Sequence, residues 1–498
     1  MLGIFILSLA LRFWGLERFN TLVFDEVYFA KFGNNYLTHT PFFNAHPPLS
    51  QYIIGIGIWI GSHIPFWHDT VNGLTGSMRS PWTYRWLNAL TGSFIPLVVA
   101  AIAYQLSYRR SFAIIAGLFT ACDGIFLVES RYALSNIYIV IFGLLGHWFL
   151  LLALENHNRR RSFWLVFAGI AFGASVGTKW NGLWFLSGAY LIWLAAWIIR
   201  GIHSFSNSKL FLKEAGEELE SRIEEGGVST YSPPSLAFPL SQTPLQNLTQ
   251  LNIFQMLFYL GIIPASIYSI IWIPHLQLDK TYGFIEVHRQ ILKFHLQLGG
   301  NSPNVHPYCA AWYKWPLMTR PMAYYYQTAE SITEPLPVMG PPLPAGTGKV
   351  IYDVHAMGNP FLWWFGVAAI LFLVGMLVSQ TIIPWVKEKR FSVPTTLSVD
   401  TWIGLYLVIN YTANLAPWVE VTRCAFIYHY MCALVFVFLA IAWFVDQCLR
   451  SYYQQLRVLG VTITFIILAA FIFWMPIYLG LPLSPDGYKL RMWFNSWI

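Results

Sequence analysis

Charge is the scarcest property of this sequence: 11% of its 498 residues are Asp, Glu, Lys or Arg, while 56% are hydrophobic. Soluble domains carry about 25% charged and about 45–50% apolar residues. The shortage excludes an ordinary water-soluble enzyme and a disordered chain, and it asks for a polytopic membrane protein. Familiar chemical motifs are missing too. There is no Walker loop, no GxGxxG before a strand, no HExxH and no CxxC, so NTP hydrolysis, nicotinamide chemistry and a zinc site find no support. No cofactor is expected, and metal dependence stays open. The five cysteines, at 122, 309, 424, 432 and 448, show no paired or metal-type spacing, so no disulfide framework is expected. The net charge of +7 reads as a topological signal rather than a nucleic-acid footprint.

What the chain has instead is long apolar runs, near 2–16, 86–106, 112–129, 135–154, 163–178, 182–199, 253–274, 361–383, 401–416, 424–446 and 458–479. They lack period-2 alternation, and lipid leaves any other open backbone unsatisfied, so they are read as helices. The expected fold is an all-α polytopic membrane protein with about eleven transmembrane helices and the bilayer as its partner. Aromatics at 18% suit interfacial belts. Arg109–Arg110, Arg159–Arg161, Arg200, Lys387–Arg390 and Arg450 abut alternate span ends, which places those ends in the cytoplasm. The N-terminus is then inside and the tail 480–498 outside.

Two large loops, 17–85 and 275–360, fall outside. A third, 201–252, falls inside, and its Glu-rich stretch and Ser/Pro-rich 229–244 read as a partly disordered linker. The first run would reach only ~22 Å of an about 30 Å core. It is thin and tilted, or the chain begins upstream. No basic n-region or small-residue cleavage site marks a signal peptide. Segment 51–67 is read as a helix in the outer interface.

Few charges remain as candidates for chemistry. Asp25 and Glu26 lie just beyond the first run. They are either a solvated helix N-cap pair or a general base with a supporting acid. In His46-Pro47-Pro48-Leu49 the prolines fix the backbone, and His46 is a candidate ligand contact. Arg12, Arg85, Arg131 and Arg423 sit near outer span ends, where a guanidinium either binds phosphate or snorkels to the interface. Asp123 and Glu129 flank that region and are explained equally by an internal ion pair with Arg131. The aromatic loop 303–326, with His306, Tyr308 and Arg320, reads as a sugar or peptide platform or as an interfacial anchor. Arg423 and His429 are six residues apart, so a shared site would need other helices.

Taken in order, FDEVYFAKFGNNYL and PFFNAHPPLSQYIIG (24–55), YRWLNALTGSFIP (84–96), VGTKWNGLW (176–184), HPYCAAWYKWPLMTRPMAYYY (306–326) and RCAFIYHYMCALVF (423–436) resemble the protein O-mannosyltransferase family, membrane glycosyltransferases of the GT-C class. The resemblance implies inverting transfer of mannose from a polyprenyl-phosphate carrier to Ser or Thr hydroxyls of exported proteins, outside the plasma membrane. It implies that Asp25 is the catalytic base, that Glu26 supports it, and that Arg12 and Arg85 contact the lipid phosphate. His46 belongs to a matching motif. The late loop is too short for the β-trefoil insert of eukaryotic members, so the chain looks bacterial-type, with a bacterial polyprenol as carrier. Asn136 stands where relatives tend to have Asp. A relative moving another lipid-linked sugar, such as aminoarabinose, to a glycolipid is the nearest rival. A transporter would show repeats and broken helices, and no repeat links the two halves.

Overall fold

A computed structural model describes residues 1–67, 72–74, 77–225, 243–300, 304–330, 338, 348–388 and 397–498. Helix α1 (Leu2–Phe13) leads into the first large loop, which holds α2 (Glu26–Leu37), α3 (Leu49–Gly61) and an antiparallel pair, β1 (Asn72–Leu74) and β2 (Ser77–Arg79). There follow α4 (Pro81–Ser107), α5 (Arg110–Ala121), α6 (Gly124–Arg131), α7 (Asn136–Glu155), α8 (Asn158–Val176) and α9 (Leu183–Glu225). Helices α10 (Ile253–Leu257) and α11 (Ile263–Leu278) form one apolar rod joined by a π turn. The second large loop contains α12 (Phe284–Gln297), β3 (Met322–Ala329) and β4 (Val350–Ala356). Helices α13 (Pro360–Glu388), α14 (Val399–Leu415), α15 (Met431–Arg450), α16 (Gln454–Leu479) and the short α17 (Pro485–Lys489) complete the fold.

Among the described residues, seven helices are long and apolar enough to cross a membrane, or eight if α5 and α6, bent by 59°, form one span. Each of the eleven apolar runs coincides with helix. The other three are marginal: α1 and α14 have 12 and 17 residues, and α8 opens on Arg159–Arg161. Helix α3, at 13 residues and so ~20 Å long, packs beside α2 and α4. The helix expected to end near 199 continues through the acidic stretch to Glu225; most of 229–244 lies outside the described residues.

Burial follows composition. The span at 427–450 is apolar all round and 83% buried, whereas 253–278 is only 22% buried and presents its apolar side chains outward. The break between α5 and α6 has a local cause. The Asp123 carboxylate caps α6 by accepting from the Phe126 N–H at 3.1 Å. It also accepts from the Asn359 N–H (3.1 Å) and from Trp363 Nε1 (2.8 Å), tying the break to the start of α13. Asp123 is thus a cap and makes no ion pair with Arg131.

Two expectations are corrected. The fold is mostly helical, not all-α. MAYYYQTA and VIYDVHA, rich in aromatic and β-branched residues, pair antiparallel from Met322↔Ala356 to Ala329↔Val350. And two cysteines are joined: Cys309 and Cys424 form a disulfide across 115 residues, with Cα atoms 5.2 Å apart. Local spacing carries no trace of a bridge between two distant loops. Cys122, Cys432 and Cys448 are free and buried.

Candidate active site

Asp25 sits at the N-cap of α2, yet its side chain makes no capping bond. The backbone explains why it points elsewhere. Phe24, immediately before it, has φ +52°, a left-handed conformation that a bulky residue adopts only when held there. The hold is aromatic: the Phe24 ring stacks on Tyr324 of β3 at 4.1 Å and 12°. Helix α2 itself is fixed by close approach to α3, where a Cβ on Gly55 would lie 2.8 Å from the Gly33 carbonyl oxygen. The carboxylate is half-buried and has no hydrogen-bond partner among the described residues. Burial pushes its pKa up to about 6, and the charge of Lys179 works against that rise.

Lys179 lies in the turn between α8 and α9. Its Nζ donates to Asn136 Oδ1 at 2.9 Å and sits 5.5 Å from the ring centres of both Phe29 and Tyr428. Burial lowers its pKa to about 8, against the pull of Asp25 and Glu129. Asn136 donates in turn to Glu129 Oε2 at 3.2 Å, and the Tyr324 hydroxyl donates to Glu129 Oε1. Glu129 is therefore anchored by Asn136 and Tyr324 rather than by Arg131. His46 faces the same space. Burial, with Lys179, His295, Arg423 and His429 adding to it, holds His46 well below the usual histidine range and so neutral. The His46 and His295 rings are 5.2 Å apart. The site thus sets one unengaged carboxylate against Lys179, with Arg423 and the neutral imidazoles of His46, His295 and His429 in the same cluster.

Glu26, one residue on from Asp25, does different work. It is fully buried and accepts four hydrogen bonds: from Val23 N–H (2.8 Å), Ala133 N–H (2.8 Å), Arg85 Nε (2.9 Å) and Arg85 Nη2 (2.7 Å). Arg85 spends its other donors on the carbonyls of Leu16, Phe19 and Thr21 at 2.7–2.9 Å. Breaking such a buried pair costs about 3–5 kcal/mol, because it strands a charge. Glu26→Gln should therefore lower the thermal unfolding temperature in detergent. Glu26→Gln with Arg85→Met should lose less than the two single changes summed; an unchanged melting temperature in the single variants would refute the structural role.

Two family models match most of the chain. One, described as dolichyl-phosphate-mannose-protein mannosyltransferase, matches residues 3–215, and the other, the C-terminal four-transmembrane region of protein-O-mannosyltransferase, matches residues 280–497. The chain belongs to the protein O-mannosyltransferase family. It is 21% identical to a polyprenol-phosphate-mannose–protein mannosyltransferase of Mycolicibacterium smegmatis, over 96% of this chain and 88% of that one. With the enzyme of the same name from Corynebacterium glutamicum it shares 22% over 91% and 81%. Its fold superposes on a chain of the Saccharomyces cerevisiae Pmt1-Pmt2 complex bound to the sugar donor with a TM-score of 0.74, covering 100% and 92% at 14% identity. It superposes less closely on the Archaeoglobus fulgidus oligosaccharyltransferase AglB, at 0.50 and 14% identity, covering 98% and 58%.

Within this mannosyltransferase fold the residues expected to act divide into three groups. Asp25, His46, Arg423 and His429 converge with Lys179. Arg85 and Arg12 do not join them. All five N–H donors of Arg85 are taken by protein, so the expected phosphate contact is withdrawn for it. Arg12 is fully buried in helix packing. It donates to Ser130 Oγ (3.2 Å) and Ser8 Oγ (2.8 Å), while its Nη2 has no partner among the described residues. Arg131 donates to the carbonyls of Leu11, Arg12, Trp14 and Gly15 and so caps α1. His306, Tyr308 and Arg320 lie partly exposed in the second large loop. Arg320 lies over the Tyr308 ring at 5.3 Å and donates to the carbonyls of Pro307, Ser496 and Ile498, a tether for the C-terminal segment. Lys179 escaped the sequence reading because it lies in a three-residue gap between two apolar runs; a lone lysine there is a signal in its own right. Tyr324, Tyr428 and His295 carried no such mark.

Proposed function

We propose that this protein transfers mannose from a polyprenyl-phosphate-mannose donor to a Ser or Thr hydroxyl of an exported protein, with inversion, outside the plasma membrane. The observation that carries the reading is a carboxylate with free lone pairs and a raised pKa, facing Lys179 in a cluster that also holds Arg423, aromatic rings and neutral imidazoles. Asp25 takes the proton of the acceptor hydroxyl as its oxygen bonds to the anomeric carbon. The bond from that carbon to the phosphate oxygen breaks, and the phosphate leaves with the electron pair. Lys179 and Arg423 are the cations positioned to stabilise it, in place of Arg12 and Arg85. The sugar arrives already activated on lipid, so the reaction as proposed calls on no cofactor.

The same reading takes α1, α8 and α14 as further spans, giving eleven, with Asp25 on the outer side. Two features support that orientation. Arg109, paired with Asp400 at 2.8 Å, and Arg450 lie at the opposite ends of their helices from the Asp25 cluster. The Cys309–Cys424 disulfide lies on the Asp25 side, and disulfides persist on the oxidising side of a membrane.

Purified protein in detergent, given radiolabelled polyprenyl-phosphate-mannose, should label a Ser/Thr peptide and not a glycolipid; label on glycolipid alone would overturn the reading. The rate should also be bell-shaped in pH. Asp25 acts unprotonated, so kcat/KM rises through about pH 6. Lys179 acts protonated, so kcat/KM falls again through about pH 8. A flat profile from pH 5 to 9 would contradict both assignments.

A further inference from the structure

Arg423 is an unusual cation for a binding site, because no side chain orients it. Among the described residues it has no carboxylate partner, and its guanidinium makes one hydrogen bond, Nη1 to the neighbouring Cys424 carbonyl at 3.0 Å. Its position is therefore set by backbone. The strap 421–426 between α14 and α15 meets residues 299–300 and Ala310. Cys424 N–H donates to the Gly299 carbonyl (2.9 Å), Ala310 N–H donates to the Ala425 carbonyl (2.9 Å), and Arg423 bridges Gly300. The Phe426 ring meets His306 edge-on at 5.0 Å. One covalent link closes this arrangement, the Cys309–Cys424 disulfide, directly beside Arg423.

We infer that the Cys309–Cys424 crosslink is a positioning element for donor recognition: it holds the strap so that Arg423 faces the leaving phosphate. Two backbone hydrogen bonds in an irregular strap compete with water, and the segments they join are distant in sequence. Without the crosslink the strap samples other conformations, and Arg423 has no salt bridge to return it. The inference rests on the reading of the site as a polyprenyl-phosphate site, and its test separates the two.

Four full-length proteins are compared in detergent: wild type, Cys309→Ser/Cys424→Ser, Arg423→Ala, and all three changes together. Removing the crosslink should raise the KM for polyprenyl-phosphate-mannose about ten-fold, the loss of roughly one charge-assisted hydrogen bond. The KM for the acceptor peptide should stay within about two-fold. In the Arg423→Ala background, removing the crosslink should add nothing, because coupled residues are not additive. If Arg423→Ala leaves the donor KM unchanged, the phosphate role of Arg423 fails and the inference with it. If Arg423→Ala raises the donor KM but loss of the crosslink does not, the inference alone is overturned; an equal rise in both backgrounds overturns it as well. Should the serine variant fail to fold, wild-type protein treated with dithiothreitol gives the same readout. Its other three cysteines are already thiols, so the donor KM should rise on reduction and recover on reoxidation, and no change would overturn the inference.

Discussion

Asp25→Asn should reduce turnover with polyprenyl-phosphate-mannose and a Ser/Thr peptide by about 10²–10⁴-fold, the range that a positioned general base contributes. The protein should still insert and bind donor. The substitution keeps the shape of the side chain and removes its basicity. It is also structurally quiet, because the Asp25 carboxylate makes no hydrogen bond that the amide would break. The neighbouring residue gives the contrast. Glu26→Gln removes a charge from a site with four hydrogen bonds and a salt bridge, so its effect is a loss of fold that drags activity down with it. Activity per correctly folded molecule separates the two. Asp25→Asn with near-normal turnover per folded molecule would sink the assignment of the base.

The division between these adjacent carboxylates was partly legible in the sequence. Residues one apart do not share a helix face, so different roles for Asp25 and Glu26 followed from spacing alone. Which did what rested on the family resemblance. The apolar runs also announced themselves, since 3.6-residue geometry and span length leave a strong local pattern. What the sequence hid was pairing at a distance. Arg85 looked like a phosphate ligand because an arginine at membrane depth is expensive, and only the fold shows that Glu26, 59 residues away, has already answered that expense. Arg12 differs, because no carboxylate pairs with it: it donates to Ser8 and Ser130 and its Nη2 has no partner among the described residues. Cys309 and Cys424 looked unpaired because 115 residues separate them. The β3–β4 pair was masked by its aromatic content, which reads equally as an interfacial loop.

Lys179→Met should produce the other large effect, and its pattern is more diagnostic than its size. The ammonium group answers to four neighbours at once: it donates to Asn136, faces Asp25, and sits 5.5 Å from the ring centres of Phe29 and Tyr428. Methionine keeps much of the stem and deletes the charge. Loss of one stabilising donor to a developing anion is worth about 10²–10³ in rate, so kcat/KM for the lipid donor should fall by that order. A second consequence follows from the same charge. Burial raises the Asp25 pKa, and Lys179 opposes the rise; without the lysine the opposition is gone. The acid limb of the pH profile should therefore move up from about 6, while the alkaline limb, which reports the lysine itself, should disappear. Lys179→Arg keeps the charge and should keep the acid limb in place, with the alkaline limb displaced upward, since a guanidinium holds its proton far beyond pH 8. If Lys179→Met slowed the enzyme but left both limbs unmoved, the lysine would be acting through packing, and its place opposite Asp25 would have to be given up.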